Sequence, residues 1–192
     1  MSNAFFKTPI AVNEAVKEYK IGSIEREKLL EEYRKMNTSK VDIPMYIRDK
    51  KVYSENKIKI SPPHDHQHVI GSANIGNEKD VENAISSALQ AKEKWSSMNW
   101  EHRAAIFLKA ANLLAGPYRD KLNAATMLAQ SKNVYQAEID AACELIDFFK
   151  FNVQYMQQLY KEQPESQAGM WNRLEHRPLE GFVFAITPFN FT

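Results

Sequence analysis

The strongest constraint on the fold is a long region, residues 77–160, in which apolar residues recur with the period of an α-helix. After Asn77, a good N-cap residue with Asp80 three positions on, apolar side chains recur at helical spacing as far as Trp95. The spacing predicts a helix with one buried face. Similar patterns predict three further helices, at Glu101 to Leu114, Tyr118 to Gln130 and Val134 to about Tyr160. Four helices this close in sequence must pack on each other or on a sheet.

The residues before this region predict an arm and a small sheet. The first 36 residues are polar, with one short helix from Ile24 to Lys35 for which Ser23 is a plausible N-cap. Short β-type runs follow and predict an antiparallel meander that the prolines at positions 62 and 63 end. The runs are Met45 to Ile47, Lys51 to Tyr53 and Lys57 to Ile60.

Near the end of the chain the pattern changes again. Phe182 to Ile186 is a continuous apolar run, which is typical of a strand buried on both faces and therefore of a parallel sheet covered by helices. The fold class predicted is α/β. Such a strand is not stable without neighbouring strands, so we expect the chain to be part of a longer protein.

Composition excludes several classes of function. The 25 Lys and Arg residues nearly balance the 24 Asp and Glu residues, so no strong field favours nucleic acid or an anionic membrane. No apolar run approaches the roughly 20 residues that span a bilayer. The single cysteine, Cys143, allows no intramolecular disulfide, and no targeting signal is visible. A cytoplasmic protein with a small-molecule partner is the expectation.

Two segments near the end carry a resemblance to a known family. Pro178 to Val183 (PLEGFV) followed by Ile186 to Phe191 (ITPFNF) resembles the strand and loop of the aldehyde dehydrogenase superfamily. Within it, PFNFT at the end of the chain and the helix Gln136 to Phe149 (QAEIDAACELIDFF) are similar to the 1-pyrroline-5-carboxylate dehydrogenases. One departure is Ser131, where the family commonly has glycine at a helix end.

The resemblance implies a domain layout and partners. Residues 1–36 would form an N-terminal arm, and residues 37–162 and 182–192 would belong to a cofactor-binding domain with a Rossmann-like sheet. Residues 163–181 would form a β flap that joins a partner subunit, giving a homodimer or a higher homo-oligomer in the complete protein. The cofactor would be NAD, although no G-x-G-x-x-G fingerprint supports this independently.

The resemblance also implies an activity: NAD-dependent oxidation of L-glutamate γ-semialdehyde to glutamate in proline catabolism, through a cysteine thiohemiacetal. The nucleophile and the general base would lie beyond Thr192, so the chain by itself is expected to be inactive. Alternatives are another aldehyde dehydrogenase subclass, the dehydrogenase half of a bifunctional proline-oxidising enzyme, or a non-catalytic helical interaction module.

Asn190 is the foremost candidate catalytic residue. By resemblance its side-chain amide donates to the oxyanion that forms when a thiolate attacks the aldehyde. The alternative from the residues alone is that Asn190 caps a turn, a common role of asparagine. By the same resemblance four neighbours contact the cofactor, namely Ile186, Thr187, Pro188 and Phe189.

Two further residues are candidates for substrate binding. By resemblance Glu144 would pair with the α-ammonium of the semialdehyde, and Phe191 would pack on its methylene chain. From spacing alone, Glu144 belongs to an acidic stripe with Asp140 and Asp147, for which a solvated helix face is the usual explanation. Glu138 is a fourth acidic residue on this helix.

For the three histidines near position 66 and for the single cysteine, a structural role is favoured over a functional one. The alternating histidines 64, 66 and 68 could share one face as metal ligands, but the adjacent prolines favour a loop and no metal is expected. Cys143 lies on an apolar helix face without a group that would lower its pKa, which favours a buried structural thiol.

Overall fold

The computed structural model describes residues 5–191 and contains helices and two small sheets, which confirms the α/β class. Six α-helices are present in the described residues: α1 (Ile24–Thr38), α2 (Glu78–Ser97), α3 (Trp100–Ala115), α4 (Arg119–Gln130), α5 (Val134–Ala137) and α6 (Glu144–Lys161). The strands are β1 (Val41–Ile43), β2 (Met45–Ile47), β3 (Lys50–Val52), β4 (Lys57–Ile60) and β5 (Gly71–Asn74).

The strands pair differently from the predicted meander. β2 and β3 form an antiparallel hairpin, but β4 pairs antiparallel with β5, which in turn pairs parallel with β1. The parallel pair requires glycine at position 71, because an added Cβ would lie 2.4 Å from the carbonyl oxygen of Val41. Asp42 ties the three strands together through bonds to Lys57, Ser72 and Asn74.

Local capping explains where the long helices begin. The Ser23 hydroxyl accepts from the amide of Arg26 at the start of α1, as predicted. Asn77 and Asp80 form a reciprocal capping box at the start of α2. The predicted helix starts are therefore confirmed to within a few residues.

Two small cores hold the helices together. In the first, Tyr19 and Leu29 pack on Ala124, which joins α1 to α4. In the second, Ala111 of α3 packs on Ala142 and Ile146. Small residues at these contacts let the helix backbones approach closely.

The predicted buried face of α2 is wrong for the described part of the chain. No residue of α2 is buried, and the apolar side chains of Val81, Leu89 and Trp95 are exposed. Ile106 and Phe107, which belong to the apolar pattern of α3, are exposed as well. The helical period predicts the apolar faces correctly, but described elements cover them only in part. The Trp95 ring centroid lies 6.3 Å from that of Phe107, and the Phe107 ring centroid lies 5.9 Å from that of Phe149.

The predicted strand from Phe182 to Ile186 is also not formed. These residues are extended and exposed, without a strand partner among residues 5–191. An isolated strand leaves its backbone groups unpaired and gains nothing from burial. In the predicted flap, residues 163–181, a single antiparallel bridge between Gln167 and Met170 takes the place of a strand pair.

The last long helix is interrupted near its start. Between α5 and α6, residues Glu138–Cys143 form a π-helical stretch, called the π-turn below. The i→i+5 bonding of a π-helix inserts an extra residue into the turn and is frequent at functional sites. Here it lets the same short stretch direct Glu138 into the interior and Asp140 toward the end of the chain.

Candidate functional site

Asn190 lies in an exposed turn at the end of the described chain. Its backbone carbonyl accepts a hydrogen bond from Lys132 Nζ at 2.5 Å, and the next carbonyl, of Phe191, accepts from Gln130 Nε2 at 3.0 Å. The Asn190 side-chain amide has no partner among residues 5–191. The turn is therefore held through its backbone, while the amide remains available to a ligand.

Lys132 is the centre of this junction, and the sequence analysis gave it no role. Its ammonium donates to Asp140 Oδ2 at 2.8 Å and lies 4.9 Å from the centre of the Phe191 ring. Asp140, predicted to lie in a solvated acidic stripe, is instead paired. No local spacing signals this contact, because the partners are brought together by the link between α4 and α5.

The predicted cofactor residues precede the junction. Ile186 is 82% exposed and Phe189 95% exposed, and beyond the local turn at Phe189 and Asn190 no hydrogen bond joins the backbone of residues 186–189 to the described chain. Free amides and carbonyls beside apolar side chains are what a nucleotide site needs. The segment is therefore chemically suited to hold part of a dinucleotide.

Of the two predicted substrate residues, only Phe191 contacts Lys132 in the described chain. The Phe191 ring contacts the ammonium, and Glu144 begins α6, four residues after Asp140. Glu144 is half-buried and has no ion-pair partner within residues 5–191. The structure thus places Asn190 and Phe191 against Lys132, and an unpaired carboxylate, that of Glu144, four residues after Asp140, the ion-pair partner of that lysine.

A second polar cluster, which the sequence analysis missed, lies inside the protein. Glu138, which the sequence pattern marks only as a fourth acidic residue of its helix, is fully buried, where it is paired with Arg119 and accepts from Tyr19 and Asn123. Arg119 also pairs with Glu14 at 2.6 Å. Such a cluster is tolerated because every charge has partners. A tertiary arrangement of this kind leaves no periodic signal in the sequence.

These bonds shift the acid–base behaviour of the cluster. Burial raises the pKa of Glu138, but the hydrogen bonds from Arg119, Tyr19 and the Lys17 amide outweigh burial and leave the pKa below its usual value. For Glu14 burial acts in the same way and is likewise outweighed, here by Lys150 and Arg119, so its pKa is also lowered. Both carboxylates are therefore charged at neutral pH.

Residues 5–20, called the extended arm below, lie along the π-turn and α6. Four backbone amides of the arm, spaced three residues apart, each donate to a side chain of the π-turn or α6. A repeat of three residues is that of a polyproline II helix. The four pairs are Thr8 with Gln157, Ala11 with Gln154, Glu14 with Asp147, and Lys17 with Glu138.

Cys143 is buried in this cluster, as predicted. Its sulfur lies 3.4 Å from Arg119 Nη2 and 3.9 Å from Glu138 Oε1. Burial, together with the Glu138 charge, raises the pKa of the thiol to about 11. The thiol is therefore protonated at neutral pH and a poor nucleophile.

The histidine segment forms a loop, as predicted, and its side chains have separate partners. His64 Nδ1 lies 2.7 Å from the Ser131 hydroxyl, and His68 Nε2 lies 2.7 Å from the carbonyl of Asn37. Within residues 5–191, no group of three or more His, Cys, Asp or Glu side chains could hold a metal ion.

The comparison with protein families decides the assignment. The profile described as the aldehyde dehydrogenase family matches residues 51–192, which is most of the chain. The chain belongs to the aldehyde dehydrogenase family. Its curated relatives cover nearly all of it: delta-1-pyrroline-5-carboxylate dehydrogenase of Agaricus bisporus is 50% identical over 191 residues, which are 98% of this chain and 35% of the relative.

A second relative and a solved structure agree. The probable delta-1-pyrroline-5-carboxylate dehydrogenase of Schizosaccharomyces pombe is 47% identical over 98% of this chain and 35% of its own length. The NAD-bound crystal structure of delta-pyrroline-5-carboxylate dehydrogenase from Mycobacterium tuberculosis matches with a TM-score of 0.97 and 44% identity, over 99% of this chain and 36% of that one. The fold is therefore that of the aldehyde dehydrogenases, and the chain spans about a third of the length of these relatives.

Proposed function

We propose that this aldehyde dehydrogenase chain contributes to the NAD-dependent oxidation of L-glutamate γ-semialdehyde, derived from 1-pyrroline-5-carboxylate, to glutamate in proline catabolism. Two relatives, 50% and 47% identical to this chain, are named for delta-1-pyrroline-5-carboxylate. The observation that carries the proposal is the Asn190 turn, where a fixed backbone presents an unpaired side-chain amide.

Asn190 would stabilise the oxyanion of the first chemical step. When a thiolate attacks the aldehyde, sulfur bonds to the carbonyl carbon and the π electrons of the carbonyl move to oxygen. An N–H of the Asn190 amide would donate to that oxygen. One preorganised donor of this kind is worth about a hundred- to a thousandfold in rate.

NAD would supply the acceptor for the hydride that then leaves the same carbon, so that the carbonyl reforms as a thioester. Residues 186–189 would hold part of the cofactor through their free backbone groups and exposed apolar side chains. Water would then cleave the thioester to the carboxylate and return the thiol. A NAD-bound neighbour with a TM-score of 0.97 supports this choice of cofactor.

The nucleophile of this scheme is not Cys143. The Cys143 thiol is buried beside Glu138, and its pKa is raised to about 11 by burial first and by that charge second. No other cysteine is present in the 192 residues. The thiolate would therefore come from sequence outside them.

Glu144 and Phe191 would bind the substrate. A half-buried carboxylate without an ion-pair partner in the described chain suits the α-ammonium of the semialdehyde. The Phe191 ring, partly exposed beside Lys132, would pack on the methylene chain. The flap, residues 163–181, is almost entirely exposed, which is compatible with its predicted role in joining a partner subunit.

Replacement of Asn190 by alanine tests the proposal. The experiment uses a chimera in which this chain replaces the matching part of the Agaricus bisporus relative. We expect the chimera to form NADH from glutamate γ-semialdehyde, and Asn190→Ala to lower kcat by about 100- to 1,000-fold. KM for NAD should change little, because the amide acts on the developing oxyanion.

Asn83→Ala is the matched control, since Asn83 is an exposed asparagine on α2, far in sequence from the turn. It should leave kcat unchanged. A correctly folded chimera that binds NAD and keeps most of its kcat after Asn190→Ala would contradict the role proposed for Asn190. A chimera that binds NAD but does not oxidise the semialdehyde would contradict the proposed choice of substrate.

A further inference from the structure

We propose that Lys132 is a positioning residue, whose ammonium fixes the backbone at Asn190 and so aims the side-chain amide at the reacting oxygen. This inference rests on the function proposed above. It assigns a role to a lysine that would not touch the substrate, the cofactor or the reacting atoms.

The first argument is how completely the ammonium is engaged. Lys132 Nζ donates to the carboxylate of Asp140 and to the carbonyl of Asn190, and the Phe191 ring lies beside it. Its side chain is only 14% exposed. A lysine ammonium has three donor hydrogens, so little capacity remains for a substrate carboxylate or a phosphate. These contacts indicate that Lys132 holds parts of the chain together and does not bind a ligand.

The second argument is that Lys132 and Asn190 are attached to the described chain to different extents. Lys132 stands between the end of α4 at Gln130 and Asn133, which caps α5 with a reciprocal capping box. Its anionic partner, Asp140, lies on the π-turn, in which Glu138 is fully buried. The lysine is thus anchored on the helical body of the protein.

Asn190, in contrast, stands at the end of a weakly attached segment. Apart from the local turn at Phe189 and Asn190, the hydrogen bonds and ring contacts that join residues 184–191 to the rest of the described chain come only from Lys132 and Gln130. Of these two, Lys132 alone bonds to Asn190 itself. Removing its ammonium would free the peptide group that orients the amide, and a displacement of about 1 Å at a reacting group can cost about a hundredfold in rate.

The test is a double-mutant cycle in the chimera described above. Lys132→Met keeps the apolar stem against Phe191 and removes the donors. We expect it to lower kcat by about 10- to 100-fold, with KM for NAD and for the semialdehyde little changed. Lys132→Arg, which retains the charge and the donors, should restore most of the loss. The double variant Lys132→Met/Asn190→Ala should be no slower than Asn190→Ala alone, because the lysine acts through that amide.

The outcomes separate this inference from the proposed function. If Asn190→Ala lowers kcat as expected but Lys132→Met does not, or if the two losses multiply in the double variant, the positioning role is overturned while the oxyanion role stands. If Asn190→Ala itself has no effect, the proposed catalytic role fails first. Melting temperature and NAD binding establish that each variant is folded.

A second variant covers the case in which Lys132→Met does not fold. Lys132→Gln is uncharged but can still donate to the Asn190 carbonyl, so it should retain more kcat than Asn190→Ala. Loss of kcat in Lys132→Gln equal to that of Asn190→Ala, together with raised KM values for both substrates, would indicate a general structural role and overturn the inference.

Discussion

At the scale of single residues, Ser131 occupies a conformation that favours glycine. It caps α4 with φ 54° and ψ 29°, in the left-handed region. That region costs a residue with a Cβ roughly 1–2 kcal/mol. The family commonly has glycine here, and in this chain the serine hydroxyl gains a hydrogen bond with His64 at 2.7 Å. The bond offsets part of the backbone cost.

A pair of substitutions separates the two contributions. Ser131→Gly and Ser131→Ala both lose the hydroxyl, but only glycine removes the backbone strain. We expect the glycine variant to have a free energy of unfolding higher than that of the alanine variant by about 1 kcal/mol, measured by urea denaturation. Equal stabilities would show that the left-handed conformation at this position carries no cost.

Glu138 shows why part of the site was not predictable residue by residue. In the sequence it stands beside three other acidic residues, and a solvated face is the common origin of such a group. In the structure it is fully buried, because Arg119 and the extended arm supply its partners. Those partners are distant in sequence. The prediction for Asn190, in contrast, rests on a contiguous motif, which a resemblance can detect.

At the scale of elements, the contact between the extended arm and the helix is the most regular feature. The helix from Glu138 to Gln157 is about 28 Å long at 1.5 Å per residue. The arm from Thr8 to Lys17 also spans about 28 Å if it rises 3.1 Å per residue. The two lengths match, which is why side chains of one helix can accept from every third amide along the arm.

Removal of one acceptor should weaken this contact measurably. Gln154→Ala takes away the partner of the Ala11 amide, at 2.7 Å, and we expect a loss of about 1 kcal/mol in stability. Hydrogen exchange at the Ala11 amide should become faster in the same variant. Gln158→Ala is the control, because that side chain is exposed on the same helix and holds no amide of the arm. Equal exchange rates in the two variants would argue against the amide contact.

Helices and strands can be predicted from the sequence where neighbouring residues determine them. Ser23 and Asn77 mark helix starts through their own hydrogen bonds, and both positions were identified from the sequence. β5, with the sequence Gly-Ser-Ala-Asn, has no β-branched or aromatic residue, so its propensity gave no sign of a strand. It forms because β1 and β4 flank it. The π-turn likewise depends on tertiary partners of Glu138 and Asp140.

At the scale of the whole molecule, attachment of the extended arm should depend on pH. Glu14 and Glu138 have pKa values below the ordinary value of 4.5 in the folded protein. Their contribution to stability is therefore fully present above pH 4.5 and is lost as the pH falls through the lowered pKa values. Asp120, whose pKa is raised by burial, acts in the opposite sense and offsets part of the effect.

We expect the amides of Glu14 and Lys17 to lose protection from hydrogen exchange as the pH falls below 4.5, before the helices unfold. Glu14→Gln should make exchange at these amides faster at neutral pH and less dependent on pH. Glu18→Gln, an exposed residue of the same arm, serves as the control. Protection that persists unchanged well below pH 4.5 would rule out this electrostatic attachment.

The sequence predicts the fold class of the whole molecule, but it does not predict which apolar surfaces are buried. The apolar run from Phe182 to Ile186 and the apolar face of α2 are both evident in the sequence, yet both are exposed in the described chain. Periodicity reports which side chains favour burial, but burial itself requires another element to cover them. In the part of the chain that the structure describes, no helix is both long and apolar enough to span a bilayer. The cytoplasmic location and the oligomeric state stay predictions.

The attachment of the extended arm through its amides also bears on how its sequence can diverge. Because α6 and the π-turn contact the peptide group at every third position, a change of side chain at Thr8 or Ala11 leaves these bonds intact, whereas Glu14 also uses its carboxylate. Proline is the exception at the four bonded positions, since it has no amide hydrogen. Pro9 already stands between two of those positions, where the helix makes no such demand.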